Sequence, residues 1–240
     1  MRLDKFLADC GRGSRKEIKA LLKSGTVSVN GEAVRDGSVK INENEDKILV
    51  GNLPIIYKPF VYLMLNKPKD YVSAVFDKKQ KVVTELVPEE YAHYEVYPVG
   101  RLDIDTEGLL ILTNDGELCH RLLSPKNHVD KTYFLRCKKE LTESDIQKAK
   151  DGIVLDDGYV CMSADLKITD NPTEAYLTIR EGKFHQVKRM MESLENKVVY
   201  LKRISMGGLV LDEALGIGEI RELTEEEEKL LSQKTNNATK

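Results

Sequence analysis

Short apolar runs, each halted within a few residues by Asn, Asp, Gly or Pro, set the first limit on how this chain can fold. Tyr62-Leu-Met-Leu65 stops at Asn66-Lys67-Pro68, and Leu109–Leu112 closes at Asn114-Asp115-Gly116. Tyr133–Cys137 and Ala175–Ile179 are runs of the same kind. Such runs bounded by turn residues read as strands. Between them there is no regular series of long amphipathic helices, which a parallel doubly wound sheet would need. The predicted class is therefore α+β, with a mixed, mainly antiparallel sheet. Helices are expected from Glu117 to Leu123, from a Thr142 cap with Asp145 through Lys150, and across Thr224–Leu231. Asp157-Gly158 can turn a hairpin between Val154 and Val160. No internal repeat of fixed period is visible.

The first 50 residues read differently. Leu3, Phe6 and Leu7 have helical spacing, and Ser14-Arg-Lys-Glu17 is a capping box that opens a second helix with Ile18, Leu21 and Leu22 on its buried face. Val27–Val29 and Glu32–Val34 flank Asn30-Gly31, a two-residue hairpin signal. Arg15, Lys16, Lys19 and Lys23 fall on the other faces of the second helix. A basic helix followed at once by a tight hairpin suits RNA phosphates; the same lysines could equally be the solvated face of an amphipathic helix. Gly51–Phe60, with Pro54 and Pro59, reads as a linker. The expected division is thus 1–50, a linker 51–60, a larger domain 61–231, and a disordered tail 232–240.

Composition narrows the function classes. With 240 residues, 41% apolar and 32% charged, the chain can bury a core and keep a soluble surface. No apolar run approaches the roughly 18 residues of a membrane span, and no signal-peptide apolar region opens the chain. Cys10, Cys119, Cys137 and Cys161 are scattered, and with His93, His120, His128 and His185 they make no zinc spacing, so no metal is expected and reduced thiols in a cytoplasm fit best. The net charge of −3 conceals an asymmetry. Residues 1–40 carry nine Lys/Arg against five Asp/Glu, whereas 211–240 carry eight acidic against four basic residues. A basic front with an acidic tail keeps a nucleic-acid partner in play.

The segment Gly100-Arg-Leu-Asp-Ile-Asp-Thr-Glu-Gly108, running into Leu109–Leu112, holds the densest chemistry. Gly, Arg and Asp in a turn can set a carboxylate beside a cation, and such a positioned Asp can serve as nucleophile, base or metal ligand. Asp103, Asp105, Glu107 and Gly108 imitate the first half of a calcium loop, but its twelfth position would be Asn114, where a bidentate Glu is needed. Asp103 and Asp105 remain the candidates. A second segment, Arg180-Glu-Gly-Lys-Phe-His-Gln-Val-Lys-Arg-Met-Met191, predicts a strand, a Gly182 turn, and a helix burying Val187, Met190, Met191 and Leu194. Lys188 and Arg189 lie off that stripe in the N-terminal half, where a cation opposes the helix dipole and calls for an anionic partner such as an Asp or a phosphate. His185 reads as a hydrogen-bonded residue at the helix start rather than a general base. In the third segment, Lys131-Thr-Tyr133, the ring can be plain core or can stack on a base.

Taken in order, Met1-Arg-Leu-Asp-Lys5, Leu65-Asn-Lys-Pro68, Gly100–Gly116, Lys131-Thr-Tyr133, Glu181–Met191 and Gly207-Gly208 resemble the RsuA-type family of ribosomal RNA pseudouridine synthases, and the N-terminal unit resembles an S4 RNA-binding domain. The Phe-His-Gln-Val-Lys-Arg-Met ending is similar to that of the small-subunit enzyme, with Lys183 in the first basic place. The resemblance implies breakage of the uridine N1–C1′ bond, rotation of the base and rejoining through C5, an isomerisation without a cofactor. It implies Asp103 as the catalytic aspartate, Lys188 (or Arg189, if the register slips by one) as its paired cation, and Tyr133 against the target base. Arg101 would enter the RNA where the uridine leaves its stack, a departure that costs a few kcal/mol. Arg15, Lys16, Lys19 and Lys23 would hold RNA phosphates. The implied partner is ribosomal RNA, 16S in preference to 23S, free or in a subunit assembly intermediate, met by a monomer in the cytoplasm. A non-catalytic S4-type assembly factor is the alternative from another class, disfavoured by the intact Asp103, Arg101, Tyr133 and Lys188 set.

Overall fold

A computed structural model describes residues 1–232, so 233–240, nearly all of the expected tail, lie outside the described residues. The chain divides into two units: Met1–Val61 together with Val87–Val96, and residues 62–86 together with the chain from Tyr97 on.

In the first unit, α1 (Leu3–Asp9) and α2 (Arg15–Ser24) pack over a four-stranded antiparallel sheet of β1 (Val27–Val29), β2 (Glu32–Ala33), β3 (Ile48–Val50) and β4 (Leu53–Ile55), in the order β2-β1-β3-β4. The expected capping box forms: Ser14 N–H donates to Glu17 Oε2 at 2.7 Å and Glu17 N–H to Ser14 Oγ at 3.4 Å. Asn30 and Gly31 both take positive φ, 53° and 89°, as a tight hairpin demands. Leu3, Phe6, Leu7, Ile18, Leu22, Val27 and Ile48 form the core. Leu53–Ile55, inside the stretch read as a linker, is the sheet's edge strand; Pro54 is tolerated there because an edge residue need not donate on both sides. Residues Glu89–Tyr94 form a 3-10 helix that belongs to this unit, and the His93 ring packs against Gly11.

The second unit is a nine-stranded sheet. Its main path runs β13-β5-β7-β11-β8-β10-β9, with β6 and β12 pairing to β7 and β11. These are β5 (Tyr62–Lys67), β6 (Tyr97–Pro98), β7 (Glu107–Thr113), β8 (Lys131–Cys137), β9 (Asp165–Ile168), β10 (Glu174–Ile179), β11 (Val198–Met206), β12 (Leu209–Val210) and β13 (Ile220–Glu222). Every pairing between these strands is antiparallel except β7 with β11, where Lys202 faces Glu107 and Arg203 faces Gly108. Gly108 sits at that junction with φ +100°, and a Cβ there would lie 2.2 Å from the Arg203 carbonyl oxygen. Only glycine allows the two half-sheets to meet so closely. All seven residues of β7 are buried, as befits a central strand.

Helices α3 (Gly116–Leu123) and α6 (Glu225–Ser232) help cover one face, joining Met64, Leu109, Ile111, Met206 and Leu209 in a core with Leu118, Leu122 and Leu231. Burying each such side chain contributes about 1.5–3 kcal/mol. The remaining helices are α4 (Glu143–Asp151), opened at Thr142 with Asp145 as its partner, and α5 (Gln186–Ser193). The Val154–Val160 bridge around Asp157-Gly158 forms as the sequence predicts.

Candidate active site

The site is assembled where the turn before β7 faces the start of α5. Gly100 begins that turn with φ +79° and the Leu123 side chain packed where a Cβ would stand. Leu102 is tied to Ser73, whose Oγ accepts from Leu102 N–H at 3.0 Å and donates to Leu102 O at 3.1 Å. From the end of β5, the fully buried Lys67 reaches under the turn. Its ammonium donates to the carbonyls of Pro68 (2.9 Å), Asp103 (3.2 Å), Ile104 (3.4 Å) and Thr106 (2.9 Å). Burial pushes the Lys67 pKa down to about 8. The turn is thus fastened through its backbone, which leaves the Asp103 and Asp105 side chains free to face α5.

Lys188 projects from the first turn of α5 into this loop. Its Nζ lies 3.0 Å from Asp103 Oδ2 and 2.6 Å from Asp105 Oδ1. A cation near a helix N-terminus opposes the dipole, and the two carboxylates supply what the helix lacks. Burial works to lower the Lys188 pKa, but its bonds to Asp105 and Asp103 outweigh this and raise it. Burial likewise works to raise the Asp105 carboxyl, and Lys188 outweighs it, so its pKa lies below the usual carboxylate range. The Asp103 side chain is 25% exposed, reachable from solvent but walled in. The loop's own guanidinium, Arg101, is exposed and makes no ion pair among the described residues; the partner of Asp103 comes from α5.

Tyr133, 8% exposed on β8, lines the same cleft as Arg101, Asp103, His185, Lys188 and Leu201. His185 does stand at the helix start, with φ +48°, but its side chain makes no cap hydrogen bond. Instead its Nε2 lies 3.6 Å from Asp103 Oδ1 and its ring stacks on Phe184 at 3.8 Å between centroids. The left-handed backbone turns the imidazole out of capping position and toward the aspartate. Val187, Met190 and Met191 are buried as expected, while Leu194 ends the helix half-buried. Arg189 turns away from Asp103: its Nε donates to Asp156 at 2.7 Å and its Nη2 lies 2.6 Å from Asp157. One residue along a helix is a rotation of about 100°, which is why Lys188 and not Arg189 reaches the aspartates. Glu107, the third carboxylate of the calcium-like spacing, accepts from the Tyr200 hydroxyl at 2.7 Å.

In the first unit, Arg15, Lys16, Lys19 and Lys23 are all exposed, and Arg15, Lys19 and Lys23 line a groove with Arg2, Lys5 and Arg35. In the sequence Lys67 reads as a strand end, and nothing there marks Leu201 or Ser73. A charged residue closing an apolar strand just before Pro68 was the available signal for Lys67.

Comparison with known proteins bears on this constellation. The pattern of the S4 domain family matches residues 1–47. A protein of Bacillus subtilis (strain 168) called uncharacterized RNA pseudouridine synthase YtzG is 48% identical over 97% of this chain and 99% of its own length. Ribosomal small subunit pseudouridine synthase A of Escherichia coli (strain K12) is 37% identical over 95% and 98%. A solved crystal structure of a pseudouridylate synthase, 37% identical, superimposes with a TM-score of 0.68 over 96% of this chain and 99% of that one. The pattern of the RNA pseudouridylate synthase family covers residues 61–193, and with these relatives it establishes that the chain is an enzyme of that family, of the RsuA type with an N-terminal S4 domain.

Proposed function

We propose that the chain converts uridine to pseudouridine in ribosomal RNA, with 16S rRNA the substrate, and that Asp103 is the group that acts on the nucleotide. The observation that carries this reading is the pair Asp103–Lys188, 3.0 Å apart in a cleft shared with Tyr133 and Arg101. The N1–C1′ bond breaks, the C5–C1′ bond forms, N1 gains a proton and C5 gives one up, so atoms and electrons balance without a co-reactant. A carboxylate can attack covalently or stabilise the separated fragments while the base turns. Lys188 aims it, and Asp105 shares the load on Lys188. Tyr133 meets the uracil ring, and Arg101, exposed at the rim, takes the space in the RNA stack. The enzyme must extrude the uridine, at a cost of a few kcal/mol that such insertion offsets in part.

The proposed division of labour gives RNA affinity to residues 1–50, through Arg15, Lys16, Lys19 and Lys23, and chemistry to 61–231. The relatives named as small-subunit enzymes favour 16S over 23S rRNA. No helix among the described residues is long and apolar enough to cross a membrane, and a cytoplasmic monomer acting on rRNA or an assembling subunit completes the reading. Mapping pseudouridines in rRNA from cells with and without the gene tests reaction and target together. Loss of a 16S modification is expected; loss confined to 23S would redirect the target. Asp103→Asn should abolish pseudouridine formation while keeping RNA affinity within a few-fold, and full activity in that variant would sink the assignment.

A further inference from the structure

Beside the Asp103 cleft, and sharing Arg101, Tyr133, Gly182 and Lys183 with it, lies a second cavity of about 500 Å³. Its lining includes Lys131, Arg180 and Arg203. Arg203 is 2% exposed; its Nε donates to Leu109 O at 2.7 Å, and its Nη2 has no hydrogen-bond partner. Lys131 spends its ammonium on one carbonyl, Val129 O at 2.9 Å. Among the described residues neither cation makes an ion pair. Arg180 stands 3.0 Å from Asp130 and half-faces solvent. Glu181 also lines the cavity, but its carboxylate is taken by the Tyr159 hydroxyl, Met162 N–H and the Gln186 amide.

Buried charges are normally paired, because desolvation of an unpaired cation costs several kcal/mol. Lys131 and Arg203 line one cavity and repel; Asp130, which attracts Lys131, is paired with Arg180, and Glu181 is taken, so the cations here outnumber the carboxylates left to balance them. We propose that this cavity seats a backbone phosphodiester of the RNA strand whose uridine enters the Asp103 cleft, with Lys131 and Arg180 as its direct contacts and Arg203 as the fixed charge behind them. Burial, and then the Arg203 charge, push the Lys131 pKa down to about 8 against the opposing pull of Asp130, a strain that a bound anion would relieve. The inference rests on the reading of Asp103 as the site of reaction. It adds a function for the Lys at the head of β8: with the phosphate fixed beside Tyr133, the nucleoside attached to it is presented to the aspartate.

The test uses the full chain and small-subunit rRNA transcribed in vitro. Single-turnover pseudouridine formation is followed against RNA concentration at several potassium chloride concentrations. Lys131→Met should raise the half-saturating RNA concentration about tenfold, more than it lowers the saturating rate. It should also lower the log–log salt slope by about 0.7–0.9, the share of one phosphate contact, which a merely structural role would not move. Lys131→Arg should restore most of both. Unchanged half-saturation and slope, or no rescue by Arg, would overturn the proposal. If Lys131→Met melts below the assay temperature, Arg180→Gln makes the same measurement at a half-exposed position. If the wild-type chain forms no pseudouridine in any rRNA, the functional reading fails separately. The cavity is then judged by anisotropy with a short uridine-containing RNA, whose binding should be weakened by Lys131→Met and competed by inorganic phosphate. Phosphate binding with RNA affinity unaffected would mark a free-phosphate site and also overturn the proposal.

Discussion

Replacing Gly108 with Ala should do more damage than any other single methyl added to the sheet. The residue has φ +100°, which an L side chain rarely adopts, at a cost of about 1–3 kcal/mol. Its new Cβ would stand 2.2 Å from Arg203 O and 2.8 Å from Arg203 N, both backbone atoms that no rotamer change can move. Ordinary contact needs about 3.5 Å or more, so β7 and β11 must part by roughly 1 Å. That shift weakens the parallel rungs at Glu107–Lys202 and Gly108–Arg203 and the Arg203 bond to Leu109 O, at about 0.5–1.5 kcal/mol apiece. The sum, about 2.5–7.5 kcal/mol, is a large share of the roughly 5–15 kcal/mol that holds a domain folded. Urea unfolding followed by circular dichroism, with hydrogen exchange over residues 107–113 to isolate the second unit, measures it. Gly158→Ala is the control: φ is +82° but nothing lies within 4 Å, so only the conformational cost should appear. Equal and small losses in both variants, under about 1 kcal/mol, would refute the claim that close approach at the β7–β11 seam dictates this glycine.

Replacing Arg15, Lys19 and Lys23 together with Gln should reduce the log–log salt slope of rRNA binding by about 2–3 while leaving the saturating rate near wild type; an unaltered slope would remove the first unit from RNA binding. Stability should rise between pH 8 and 9, because Lys67 and Lys131 have folded-state pKa values near 8 against 10.5 in the unfolded chain, which therefore binds more protons across that window. The slope, at most about 1.4 kcal/mol per pH unit per lysine, should be roughly halved in Lys67→Met. Above pH 9 it should flatten as Cys10 and Cys137, whose thiols burial raises to about 11, begin to oppose it. A urea midpoint that falls from pH 8 to 9 in reducing buffer would contradict the buried-lysine assignment.

Local signals in the sequence were read correctly where local physics decides. The Ser14 capping box, the Asn30-Gly31 turn, the four apolar strands and the buried stripe of α5 each depend on residues within a few positions of one another. What escaped was decided at long range. β11, nine residues long, carries Lys202 and Arg203 in its middle and so does not read as an interior strand. Arg203 is nonetheless buried, because β7 and β8 flank it and Gly108 lets the backbone of β7 come close. Lys67 reads as a polar strand end, yet its ammonium collects the carbonyl of its neighbour Pro68 and three carbonyls of the distant 103–106 turn. Lys188 was separable from Arg189 only through the resemblance until the rotation of α5 was known. His185 was placed at the right point of the chain with the wrong bond, since a left-handed backbone there is not written in its neighbours.

Residues 87–96 leave the second unit and complete the first, so the polypeptide crosses between them three times. During synthesis, a nascent chain that has emerged only as far as Val61 still lacks the segment that packs His93 onto Gly11, and it finishes its first unit only when residue 96 is free. By then β5 has also emerged, bare of every strand it will pair with. Cutting the gene after Val61 therefore does not yield two self-sufficient halves, and a fragment meant to isolate the amino-terminal piece needs Glu89–Tyr94 grafted back to be whole.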